Sequence, residues 1–161
     1  MASGIIGEAI LIIASVIIAG SIAGVVLSQI GVFESSITET SESQQDKLLT
    51  KIDIVYGSGT VGMATPEASI YVKNTGSNPL VDNTKFDVYF GPVGAVKRYA
   101  YESGGGDDTW EFVGGAPTTW QQKDTYQINV TESDLASSTT YEVQITTPNG
   151  ISDDFIFSIS P

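Results

Sequence analysis

From Ala9 to Phe33 the chain runs 25 positions without a charge, and its only polar side chains there are Ser15, Ser21, Ser28 and Gln29. About 20 apolar residues in an α-helix cross a ~30 Å hydrocarbon core. A helix buried in a soluble core would normally keep a polar face, whereas this segment is apolar on every side and lacks proline. Residues 1–33 therefore predict a hydrophobic membrane-spanning or assembly helix. Residues 34–50 are polar, rich in Ser, Thr and Glu, and contain neither Gly nor Pro. Ile30, Phe33, Ile37 and Leu48 fall near one helical face, so this stretch reads as a helical stalk or, alternatively, as a Ser/Thr linker. A helix from about residue 4 to 49 would be roughly 70 Å long at 1.5 Å per residue.

From Lys51 the period changes from helical to two. Ile52/Ile54/Tyr56, Ala68/Ile70/Val72, Phe86/Val88/Phe90, Tyr126/Ile128/Val130, Tyr141/Val143/Ile145 and Phe155/Phe157/Ile159 each define one face of a half-buried strand. Tyr99/Tyr101 and Trp110/Phe112 predict two further, more exposed strands. Gly- and Pro-rich turns separate these segments, and Gly104–Gly106 reads as a hairpin tip. Asn149-Gly150, after Pro148, predicts a hairpin closed by a type I′ turn. Seven to nine short strands over residues 51–161 indicate an antiparallel β-sandwich. Leu135, six residues before Tyr141 at a strand start, resembles the tyrosine corner of immunoglobulin-like domains; Tyr141 as an ordinary strand residue is the alternative. The predicted fold is a long N-terminal hydrophobic helix followed by an all-β immunoglobulin-like sandwich.

Composition sharpens this division. Of 161 residues 41% are hydrophobic, but 22 of the first 33 belong to that class. The net charge of −12 excludes the basic face that nucleic acid requires. That charge sits mostly beyond Phe33, which fits an exterior location for the sandwich. No Cys and no His are present; disulfides, thiolate metal sites and histidine-based catalysis are thereby excluded. No carboxylate is singled out by its surroundings, and no cofactor is predicted. Asp107-Asp108, Asp153-Asp154 and Asp82-Asn83 read as solvated loop acids rather than Ca²⁺ ligands, since the spacing of a Ca²⁺-binding loop is absent. Asn129-Val130-Thr131 is a glycosylation sequon, set within a predicted strand.

Several helix residues invite a functional reading. Gly20, Gly24 and Ser28 recur every four positions, as do Ala19 and Ala23; this spacing lets helix backbones approach closely in lipid, although small residues are also common in membrane helices. Glu8 is costly at a bilayer centre. It either sits solvated at the interface or pairs with an N-terminal amine, its own or a neighbour's, aided by the first helical turn. Ser21-Ile22-Ala23 fits a signal-peptidase site, but no basic residue occurs before Lys47 and the apolar run continues past it. The N-terminus is predicted inside and the bulk outside.

Met1-Ala2-Ser3 directly before Ile5–Phe33, Lys51-Ile52-Asp53-Ile54, Ile70-Tyr71-Val72-Lys73-Asn74-Thr75-Gly76, and Asn149-Gly150 followed by Phe155-Ile156-Phe157 together resemble the FlaG/FlaF/archaellin group of type IV pilin-like archaeal surface proteins. The resemblance spans most of the chain, with Val72–Gly76 its most distinctive stretch. It implies a structural, non-enzymatic role in the archaellum: a helix that anchors or bundles, and an external sandwich that meets a FlaF-like partner and the surface-layer protein. Glu8 would match the pilin glutamate in a product beginning at Gly4. No basic residue precedes Gly4 or Gly7, a departure from the processed pilin and archaellin leader. The resemblance thus favours an accessory, stator-like protein over a filament subunit, with a monomeric surface-layer or glycan-binding module as a further alternative.

Overall fold

The computed structural model describes residues 2–62 and 66–159, residues 2–4 as backbone only. It comprises two units, Met1–Gln44 and Gln45–Pro161. Helix α1 runs over Ala2–Leu49, about 70 Å at the α-helical rise. No Gly or Pro between residues 32 and 56 breaks it, and the polar stretch from Glu34 to Leu49 is helical throughout. Every described side chain of the first unit is exposed. Ser15 and Ser21 donate to the carbonyls of Ile12 and Ile17, each at 2.8 Å, which satisfies both hydroxyls inside the helix.

The second unit carries eight strands: β1 (Ile52–Thr60), β2 (Glu67–Asn74), β3 (Asp87–Pro92), β4 (Lys97–Tyr101), β5 (Thr109–Phe112), β6 (Thr125–Thr131), β7 (Thr140–Thr146) and β8 (Ser152–Ser158). Their order is β1-β2-β6-β5-β4-β3-β7-β8. β1-β2-β6-β5 and β4-β3-β7-β8 are antiparallel within themselves. A two-pair parallel seam, Ala100↔Thr109 and Tyr101↔Trp110, joins them. This is the immunoglobulin strand order, ABED on one sheet and C′CFG on the other.

The inward faces alternate as the sequence predicts in β2, β3 and β7, where Ala68, Ile70, Val72, Val88, Phe90, Tyr141, Val143 and Ile145 are buried. β1 departs from the pattern. A bulge between Ile54 and Tyr56 shifts the register, so Tyr56 points outward at 56% exposure. Gly57 and Gly59 take the inward places instead. The ring of Phe157 and the side chain of Ile159 fill the space where their Cβ atoms would stand. The expectation of exposed β4 and β5 strands is also corrected: Tyr99, Trp110 and Phe112 are core residues, only Tyr101 is half-buried. These strands flank the seam, where both sheets supply cover.

Two turns differ from expectation. Gly104–Gly106 is no hairpin tip: it crosses between sheets to strands that pair in parallel, with Gly104 and Gly105 at φ 97° and 71°. The β7–β8 hairpin is present, but Gly150 alone has positive φ, 84°, and its amide donates to Thr147 O at 2.8 Å. The turn therefore centres on Pro148-Asn149, because the proline ring fixes φ near −65° at the position a type I turn favours. Gly150 follows it in the left-handed region, a G1-bulge arrangement rather than type I′.

At the start of β7, Tyr141 Oη accepts from Ala136 N at 2.8 Å, beside the buried Leu135. The ring stacks on Phe90 at 5.2 Å and 9°. This is the bond back to upstream backbone that defines a tyrosine corner.

Candidate functional site

The apolar stretch of α1 is the most extensive unpartnered surface in the first unit. Ile5 through Phe33 are 49–72% exposed at every large hydrophobic position, and the helix is long and apolar enough to cross a membrane. Gly20 and Gly24 leave a notch in this surface: a Cβ added at either meets nothing within 4 Å, and the same holds at Gly31. Ser28 continues the row at the same spacing, and Ala19 and Ala23 flank it. Glu8 is exposed and lies beyond the first turn, which contains no acid. The dipole stabilisation expected for it therefore does not reach, since that effect fades within one turn. Its pairing with an N-terminal amine lies outside the described residues.

Within the second unit, the last turn of α1 is held by the loop after β2. Leu49 O accepts from Ser77 N at 2.8 Å and Asn78 N at 3.2 Å, and Lys51 O accepts from Thr75 N and Gly76 N at 2.9 Å each. Helix C-terminal carbonyls lack intrahelical donors; this loop supplies them. Asn74, fully buried, shapes the loop. Its Nδ2 donates to Asn78 O and Trp120 O at 2.9 and 3.1 Å, and its Oδ1 accepts from Gly76 N at 3.0 Å. Asn149 Nδ2 donates to Thr50 Oγ1 at 2.8 Å, so the β7–β8 turn reaches the same junction.

A second polar cluster crosses the sheet seam. The Tyr99 hydroxyl donates to Glu132, a carboxylate whose side chain is 9% exposed. Lys97 Nζ lies 2.8 Å from Glu132 Oε2 and 2.9 Å from Asp108 Oδ1. The hydrogen bond to Glu132, then that to Asp108, raises the lysine above its usual range. No spacing rule in the sequence draws attention to Glu132; only the topology joins it to Lys97.

The remaining candidates are dispersed. Asp82 pairs with Lys85 at 2.7 Å, and Asp153 Oδ2 accepts from Ile54 N at 2.7 Å. Among the described residues no three acidic side chains cluster as metal ligands do. Asn129 is half-buried in the interior strand β6, and its Nδ2 donates to Glu67 Oε2 at 3.0 Å.

Residues 2–157 match the family described as archaeal-type flagellin. No protein of curated function matches in sequence. Among solved structures, the archaellum periplasmic stator protein FlaG from Sulfolobus acidocaldarius is 28% identical, with a TM-score of 0.57 over 68% of this chain and 100% of that one. The stator complex of FlaF and FlaG from the same organism matches at the same identity and TM-score, over 68% of this chain and 90% of that one. The archaeal flagellum of Methanospirillum hungatei strain JF1 shares the fold at a TM-score of 0.72 and 17% identity, over 96% of this chain and 93% of that one.

Proposed function

The chain belongs to the archaeal-type flagellin family, a family whose solved neighbours here are structural archaellum components rather than enzymes; from that premise we propose that it acts as a FlaG-type stator protein. In this reading α1 anchors the protein in the cytoplasmic membrane, and the sandwich stands outside and links the motor to the surface layer. The observation that carries it is the 28% identity covering the whole of the FlaG stator chain. FlaG is also solved in complex with FlaF, which supports a FlaF-like partner. Through the notch at Gly20, Gly24 and Ser28, α1 packs on a second copy or on a partner helix, since small residues allow the close backbone approach that drives association in lipid.

A filament-subunit reading is favoured by one specific observation: the archaeal flagellum structure shares the fold over 96% of this chain. Fractionation of native cells separates the two. A stator stays with the envelope membranes after filaments are sheared off, and its deletion abolishes swimming while filaments persist. Recovery of the chain as the major subunit of sheared filaments would establish an archaellin instead.

A further inference from the structure

The outer face of the sheet β1-β2-β6-β5 carries a pair of tyrosines beside a connected network of polar side chains. The β1 bulge turns Tyr56 outward, where it lies against Tyr71 with ring centroids 5.9 Å apart and tilted by 50°. Tyr71 is in register with Gln127 on β6, and Ser69 with Asn129. Gln127 Nε2 donates to Ser69 Oγ at 3.1 Å and to Asn129 Oδ1 at 3.0 Å, and Ser69 Oγ donates to the same Asn129 oxygen at 3.1 Å. Asn129 Nδ2 completes the chain on Glu67 Oε2. These half-buried side chains hold one another in fixed orientations. Among the described residues no hydrogen bond uses Gln127 Oε1 or the other Glu67 oxygen, which leaves both with acceptor capacity.

We propose that this face binds a neutral saccharide, with the Tyr56–Tyr71 pair stacking against the C–H face of a sugar ring and Gln127 and Glu67 accepting from its hydroxyls. Tyr, Ser and Asn are enriched in antibody paratopes, where aromatic rings give contact area at low entropic cost while short polar groups adapt their hydrogen bonds; the same division of roles is available here. Orientation by the amide network removes part of the ordering cost of binding. The two tyrosines are the only bulky apolar groups among these six residues, whereas a protein partner is ordinarily met by an apolar core patch. Glu67 would repel an anionic ligand. Asn129 contributes its amide to the network through its oxygen and its nitrogen.

The test uses the full chain in nanodiscs, titrated with tetrasaccharides of glucose, mannose and N-acetylglucosamine, and with tetragalacturonate as the anionic comparison. At least one neutral tetrasaccharide is expected to bind by calorimetry and saturation-transfer NMR. Tyr56→Ala and Gln127→Ala should weaken it at least about tenfold, while Tyr56→Phe stays within about threefold. Ile156→Ser, an exposed position on β8, should leave binding unchanged, and circular dichroism confirms folding of each variant. Absence of binding by all three neutral probes, preference for tetragalacturonate, or binding unaffected by both alanine variants overturns the proposal. A change in self-association in the Tyr56→Ala variant without a change in saccharide affinity would also overturn it.

Discussion

A Cβ on Gly76 would stand 2.5 Å from the carbonyl oxygen of Leu49, the last residue of α1, and as close to Lys51 N. Leu49 O is already held by hydrogen bonds from Ser77 N and Asn78 N, and Lys51 is tied to the same loop through its carbonyl, so neither residue can retreat without disturbing those bonds. Gly76→Ala is therefore expected to destabilise the second unit by about 1–3 kcal/mol, the usual range for overpacking. Calorimetry on the full chain reads this as a lowered melting temperature; an unchanged one would show that the junction yields freely.

Tyr141→Phe keeps the stack on Phe90 and removes only the hydroxyl that accepts from Ala136 N. The expected loss is about 1 kcal/mol, the net contribution of one hydrogen bond. Urea unfolding should show a lower midpoint with the slope unchanged. Tyr141→Leu, which also loses the stack, should cost clearly more.

Gly57 and Phe157 should be energetically coupled. The contact that forbids a Cβ at residue 57 is with a side chain rather than backbone, so shortening that side chain relieves it. Gly57→Ala alone should destabilise, and adding Phe157→Leu should cost less than the two single changes summed. A double-mutant cycle is expected to give a coupling of about 1 kcal/mol, within the range for residues in contact.

Lys97 is raised by Glu132 and Asp108, so its ion pairs favour the folded state while it is charged. A group whose folded pKa exceeds its unfolded value contributes fully below the unfolded value of 10.5 and loses that contribution as pH rises through the folded one. The stability difference between the native protein and Lys97→Met should therefore be constant from pH 8 to about pH 10 and shrink above it. Its side chain is half exposed, so salt should reduce the effect. Chemical denaturation across pH 8–12 checks the trend.

Much of the sandwich was legible because strands with one buried face alternate visibly, as Ile70/Val72 and Val143/Ile145 do. The sequence was silent where geometry broke that period. The bulge after Ile54 reversed the phase of β1, and glycines, which carry no hydrophobic signal, took inward positions under Phe157 and Ile159. Trp120 is fully buried yet outside every strand, tied to Leu80 by an isolated bridge, and a loop residue has no periodicity to announce it. Asn-Gly implied a type I′ turn until the preceding proline shifted the turn's centre. Of the junction, the Val72–Gly76 stretch stood out as a pattern, but its task at the end of α1 required the fold. The row of small residues at Gly20, Gly24 and Ser28 is visible from spacing alone, and its use in packing is a proposal rather than a property of the fold.

The central claim, that α1 assembles through the face bearing Gly20, Gly24 and Ser28, can be tested by cysteine cross-linking, since the chain contains no native cysteine. Single cysteines at residues 18, 20, 22 and 24 in membrane-embedded protein, oxidised and resolved by gel, sample opposite sides of one helix. Cross-linked dimers concentrated at 20 and 24, with little at 18 and 22, and lost when Gly20→Leu is combined with Gly24→Cys, are the predicted result. Equal cross-linking at all four positions, or a maximum at 18 and 22, would contradict it.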